Sequence, residues 1–124
     1  MPGYSDILDG FMAEARDFID NPARLDRLLL EAEDLLRQIP SVGETLSGLP
    51  VMIAMVKSWI RQEYAVQPRT LLTIVAALLY LLKRNDLISD SIPVLGLTDD
   101  VAVLMGALRF VEPELNEYRA WRDS

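Results

Sequence analysis

The segment from Thr70 to Leu82 has no charged side chain and is apolar on nearly every side of a helix. A helix of this kind belongs inside a protein rather than on its surface, so the segment predicts the centre of a helical bundle. Its 13 residues are too few for a single helix to cross a bilayer, which takes about 20. We predict a central helix that starts near Pro68 and closes at Lys83 and Arg84, whose charges suit the negative end of the helix dipole.

Apolar residues at three- and four-residue steps elsewhere predict further helices, expected at about 5–19, 22–39, 46–64 and 99–119. Ser5 and Asn21 are suited to cap the first two, Pro22 fits a first helical position, and Pro50 lies in a first turn or at a bend. The predicted fold class is all-α. We expect a compact single-domain bundle of about five helices, residues 1–124, with an irregular Asp/Pro/Gly loop at 86–98 before the last helix.

The charge and composition of the chain exclude several functions. Nineteen acidic and 12 basic residues give a formal charge of −7, which repels phosphate backbones, so no nucleic-acid partner is expected. Because the chain has no cysteine and no histidine, it cannot form disulfides, thiolate or imidazole zinc sites, or Cys or Ser-His nucleophile systems. Any metal would need oxygen ligands. The first ten residues lack the basic region of a secretory signal, which predicts a cytoplasmic protein.

The segment of residues 68–110, PRTLLTIVAALLYLLKRNDLISDSIPVLGLTDDVAVLMGALRF, resembles the YkvA-like family. This is a bacterial family with a domain of unknown function that is often described as membrane-associated. The resemblance implies membrane association, and it brings no known reaction, substrate or catalytic residue. Its most specific part is the order Tyr80, Asp86-Leu87-Ile88, Asp90, Ile92-Pro93-Val94-Leu95-Gly96 and Asp99-Asp100.

Within the resembling segment, the loop departs from the family pattern. The family usually has Pro-Ile where Arg84 and Asn85 stand, Pro at Ser89 and a bulky apolar residue at Ser91. The loop of this chain is therefore more polar and less rigid. If membrane association depends on an apolar loop in the interface, these changes weaken that expectation here.

Four aspartates, Asp86, Asp90, Asp99 and Asp100, are the candidate metal ligands, because converging carboxylates can hold Mg²⁺ or Ca²⁺. Their spacing matches no EF-hand loop, and neighbouring Asp99 and Asp100 would diverge by about 100° on a helix. The structural alternative is favoured. In it, Asp99 or Thr98 caps the last helix and Asp86 caps a short turn.

Other apolar features also allow two interpretations. The segment 92–97 is either a core lid, with Gly96 at a positive φ, or an exposed contact surface, and the lid is favoured. Methionines at 12, 52, 55 and 105 are ordinary core residues or an adaptable binding surface. Trp59 and Trp121 are either interfacial anchors or packed side chains. If Trp121 is packed, its ring lies across a helix end.

Together these patterns favour a non-enzymatic helical interaction module without a cofactor. It would bind a protein partner or a second copy of itself, or associate peripherally with a membrane protein, in the cytoplasm or at the membrane surface. One alternative is a carboxylate-based divalent-metal domain, or a metal-dependent hydrolase, that uses the four aspartates with Mg²⁺ or Ca²⁺. The other is a membrane protein inserted as a helical hairpin.

Overall fold

The computed structural model of the chain describes residues 8–38, 47–88 and 93–123. These ranges hold five helices and no strand: α1 (Met12–Ile19), α2 (Pro22–Gln38), α3 (Gly48–Ile60), α4 (Pro68–Ile88) and α5 (Pro93–Asp123). The prediction of an all-α compact bundle of about five helices is confirmed.

Helix α4 is the centre of the bundle, as predicted. It packs against α1, α2 and α5, and its buried apolar side chains are Leu71, Ile74, Val75, Ala76, Ala77, Leu78, Leu79, Tyr80 and Leu81. Burying one large aliphatic side chain stabilises a fold by about 1.5–3 kcal/mol, so this helix supplies a large part of the core energy. The predicted end at Lys83 and Arg84 is wrong, because the helix continues to Ile88. The ammonium group of Lys83 forms an ion pair with the carboxylate of Glu14 of α1 at 2.7 Å.

Helix α2 begins and packs as its sequence predicts. Asn21 caps it, since the side-chain oxygen of Asn21 accepts a hydrogen bond from the backbone N–H of Arg24 at 3.3 Å, and Pro22 is the first helical residue. The apolar stripe faces the core through the buried side chains of Leu25, Leu28, Leu29, Ala32 and Leu35. The predicted end at Ile39 lies outside the described residues.

The helix that the apolar spacing predicts at 5–19 is interrupted by a turn at Gly10 and Phe11, so α1 begins at Met12. Leu8 and Asp9 are helical before this turn, and the backbone N–H of Phe11 donates to the carbonyl of Leu8 at 2.9 Å. The turn contains Gly10, and glycine inside a helix is disfavoured by about 1 kcal/mol. Ser5, the predicted cap, lies outside the described residues. The apolar side of this segment faces the core, because Leu8 and Ala15 are buried.

Helix α3 has Pro50 in its first turn, as predicted, but ends at Ile60 rather than Tyr64. The chain leaves the helix at Gln62, whose φ of 62° is left-handed. The N–H of Gln62 bonds to the carbonyl of Trp59 at 3.0 Å, and that of Glu63 to the carbonyl of Ser58 at 2.9 Å. This pair of bonds is a Schellman motif, a helix ending in which glycine usually holds the left-handed position.

Helix α5 begins at Pro93, six residues before the predicted start at Asp99. Proline suits a helix start because its fixed φ is helical and it lacks the N–H that would be left unbonded there. The caps predicted for Asp99 or Thr98 and for Asp86 are therefore wrong, since these residues lie inside α5 and α4. Of the expected loop at 86–98, residues 86–88 and 93–98 are helical, and residues 89–92 lie outside the described residues.

The segment 92–97, predicted as a lid, is helical from Pro93 onward. Gly96 therefore lies within α5 and not at a left-handed position. The described residues do not include Ile92 or any side chain of this segment. Its role as a lid or as a contact surface stays a prediction.

Candidate functional site

The structure describes the backbone of three of the four candidate aspartates. Asp86 lies in the last turn of α4, and Asp99 and Asp100 lie in the second and third turns of α5. Asp90 is outside the described residues, as are the side chains of the other three. The side chains that the structure does describe include no group of three or more carboxylates that could hold a metal ion. A Mg²⁺ or Ca²⁺ site at these aspartates stays a prediction.

The methionines and Trp59 are mostly core residues. Met52 and Met55 of α3 are fully buried, and Met12 and Trp59 are half-buried and pack against the core. Met105 differs, because it is 40% exposed on α5. The interpretation as ordinary core residues is confirmed for Met52 and Met55.

Trp121 packs against two other rings and forms with them an aromatic cluster of Tyr64, Tyr118 and Trp121. The ring of Tyr64 lies 5.1 Å from that of Tyr118 and 4.9 Å from that of Trp121, measured between centroids. The tilted and edge-on arrangements are those that aromatic pairs prefer. The cluster joins the residues after α3 to the last turns of α5.

Hydroxyl groups beneath the cluster hold α3 against α5. The Tyr118 hydroxyl donates to the carbonyl of Ala54 at 3.2 Å and lies 2.8 Å from the Ser58 hydroxyl. Because the single phenolic proton points to Ala54, Ser58 is the donor in its bond with Tyr118. Buried hydroxyls need such partners, so this chain of two hydrogen bonds fixes the position of α5 against α3.

A carboxylate adjoins the same region. One oxygen of Glu114 accepts a hydrogen bond from the Thr70 hydroxyl at 3.3 Å, and the other is buried without a partner among the described residues.

Burial raises the pKa of the Tyr64 phenol above its usual value of 10.0, and the negative charge of Glu117 adds to the effect. The neutral phenol is therefore the form that the fold favours.

The described surface carries shallow grooves of about 220 to 320 Å³. One of them, the Phe110 groove, has a volume of about 240 Å³ and lies between α5, α4 and the start of α1. Its apolar floor and walls include Leu8, Met12, Thr73, Gly106, Ala107 and Phe110. The ring of Phe110 is 52% exposed at the edge of this recess.

Two opposite charges line the Phe110 groove. Arg69 lies on the α4 side and Asp9 on the side of α1, and both residues are exposed. Among the side chains that the structure describes, neither has an ion-pair or hydrogen-bond partner. The groove thus joins an apolar recess to a cation and an anion that have no partner among the described side chains.

Comparison with known proteins gives two matches. A family model described as "Protein of unknown function (DUF1232)" matches residues 70–106. The Bacillus subtilis (strain 168) protein named "Uncharacterized membrane protein YkvA" is 39% identical over 78 residues, which make up 62% of this chain and 74% of that relative. The chain belongs to the YkvA-like DUF1232 family. The resemblance predicted from the sequence is confirmed, and no solved structure matches the chain significantly.

The residues that match the family model, 70–106, form the inner side of the Phe110 groove. They include Thr73 of α4 and Gly106 of α5, while Arg69 and Ala107 are their immediate neighbours in the sequence. The turn at Leu8 closes the groove from outside the segment. Of the helices that the structure describes, none is long and apolar enough to cross a membrane.

Reasoning from the sequence missed the Phe110 groove. Phe110 follows the buried residues Val103 and Ala107 at helical spacing, so its pattern alone assigns it to the core. Arg69 and Asp9 carry no pattern that distinguishes them from other surface charges. The signal that was available is the short stretch of small residues, Gly106 and Ala107, which leaves room beside the ring.

Proposed function

We propose that this YkvA-like chain is a non-enzymatic helical interaction module, and that its Phe110 groove receives an apolar side chain from a protein. The observation that carries the proposal is the half-exposed Phe110 ring beside an apolar recess of about 240 Å³. Exposed apolar patches on soluble domains commonly mark contact surfaces. The recess is smaller than the roughly 300–1,000 Å³ of small-molecule sites, which favours a protein side chain as its occupant.

The proposed partner is a protein and not the lipid itself. The name of the relative YkvA supports a location at a membrane. The formal charge of −7, however, opposes binding to the anionic surface of a cytoplasmic leaflet. Arg69 and Asp9 at the groove would also have to enter the lipid with Phe110, and charged side chains in hydrocarbon are strongly disfavoured. A peripheral position beside a membrane protein satisfies both observations.

The test places a photoactivatable phenylalanine analogue at position 110 of the full chain in bacterial cells. A second chain with the analogue at position 30 is the matched control, because Leu30 of α2 is 51% exposed and does not line the groove. We expect irradiation to crosslink position 110 to a protein, giving a product of the same mass in each repeat, and to give no protein adduct from position 30. An adduct with lipid alone would replace the proposal with direct membrane binding.

The adduct supports the proposal only when its partner, once purified, binds the parent chain. We expect Phe110→Ser to weaken that binding at least about tenfold, equivalent to about 1.4 kcal/mol, and Leu30→Ser to leave it unchanged. Both positions are half exposed, so neither change should unfold the chain. Equal binding by Phe110→Ser and the parent would refute the proposal, as would equal adduct yields from positions 110 and 30.

A further inference from the structure

The Phe110 groove is complementary to itself. It offers a projecting apolar ring and, next to it, an apolar recess that could receive a ring. It also offers one cation, Arg69, and one anion, Asp9, neither of which has a partner among the described residues. Each feature of the groove is therefore matched by another feature of the same groove.

Self-complementarity is the requirement for a twofold dimer. In such an interface the same patch meets itself, so a contact from one residue to a second is repeated in the opposite direction. A different protein would need this chain to supply only one member of each pair, the ring or the recess and the cation or the anion. The presence of both the ring and its recess, and of both charges, favours a second copy of the chain as the occupant.

Building on the proposed function, we infer that the occupant of the Phe110 groove is a second copy of this chain. Phe110 of each copy enters the groove of the other, and Arg69 of each copy faces Asp9 of the other. The two copies each carry a formal charge of −7, but the contact itself brings opposite charges together. Repulsion between the remaining charges is screened beyond about 8 Å at physiological salt.

Charge reversal in the full chain tests this pairing. We expect the parent to form a dimer at micromolar concentrations in sedimentation velocity and in light scattering coupled to gel filtration. Arg69→Glu and Asp9→Arg should each weaken dimerisation at least about tenfold, because each places like charges opposite one another. The double variant carries the same pair in reverse order and should recover the affinity of the parent.

Arg27→Glu is the matched control, since Arg27 of α2 is exposed, has no ion-pair partner among the described residues and does not line the groove. It should dimerise like the parent or slightly more weakly, because it makes the same change of net charge as Arg69→Glu without altering the pairing at the groove. Phe110→Ser should be monomeric, and Leu30→Ser dimeric. Thermal unfolding followed by circular dichroism should show all variants folded.

Three results would overturn the inference: a parent that stays monomeric, a double variant as weak as the single ones, or equal losses in Arg27→Glu and Arg69→Glu. A monomeric parent whose position 110 crosslinks to a different protein would overturn the inference and leave the proposed function standing. A monomeric parent without any protein adduct would refute both. An adduct of two copies, together with recovery in the double variant, would support both.

Discussion

The left-handed residue at the end of α3 makes a quantitative prediction. Gln62 has a φ of 62° and holds the position that glycine usually takes in a Schellman motif. The left-handed conformation disfavours a residue with a Cβ by about 1–2 kcal/mol. Replacing Gln62 by glycine removes this cost, but about 0.4–1 kcal/mol of the gain is lost because glycine makes the unfolded chain more flexible. Gln62→Gly should therefore raise the free energy of unfolding by about 0.5–1 kcal/mol.

Urea unfolding followed by circular dichroism measures this gain, and thermal unfolding should show a rise in Tm of about 2–5 °C for a chain of this size. Gln62→Ala is the control, because alanine keeps the Cβ and with it the disfavoured conformation. The Gln62 side chain is exposed, so its removal alone should change stability by less than about 0.5 kcal/mol. If Gln62→Gly is no more stable than Gln62→Ala, the argument from backbone conformation is wrong.

Three further predictions concern the core, the aromatic cluster and α5. Leu78 is fully buried, so Leu78→Asp should abolish cooperative thermal unfolding, and a variant that melts within a few degrees of the parent would show that the α4 packing is wrong. Because the pKa of Tyr64 is raised in the fold, the contribution of its neutral phenol to the free energy of unfolding is fully present below the unfolded pKa of 10.0. That contribution is lost as the pH rises from 10.0 through the folded pKa. Urea unfolding should therefore show that the parent loses more stability than Tyr64→Phe above that pH, and parallel losses would contradict the shift. Asp99 lies inside α5, so Asp99→Ala should change the free energy of unfolding by less than about 0.5 kcal/mol in metal-free buffer, whereas a loss of about 0.5–2 kcal/mol in urea unfolding would restore Asp99 as a cap.

The starts of α2 and α4 could be predicted closely from the sequence, because their signals are local. Asn21 and Pro22 define the start of α2. Pro68 begins a helix that is apolar on nearly every side, which is typical of the interior of a protein. Helical spacing and capping depend on residues within a few positions of each other. The same locality identified the YkvA-like family, whose segment is continuous in the sequence.

Helix ends without such signals were decided by the structure. Asp99 is as good a cap by type as Asn21, yet α5 begins at Pro93. Tyr64 continues the apolar spacing of α3, yet the chain turns away at Gln62 and the ring joins the aromatic cluster instead. A favourable cap or spacing shows where a helix can begin or end, and packing between helices selects among the alternatives.

The sequence by itself determined the all-α class, the central position of α4 and the exclusion of thiol and imidazole chemistry, since these follow from composition and local periodicity. Only the tertiary structure decided that Phe110 is exposed while Val103 and Ala107, on the same face of α5, are buried. It also decided that Arg69 and Asp9, 60 positions apart in the chain, border one groove. Whether a side chain at the edge of an apolar stripe is covered depends on which distant helix lies over it, and no local pattern contains that information.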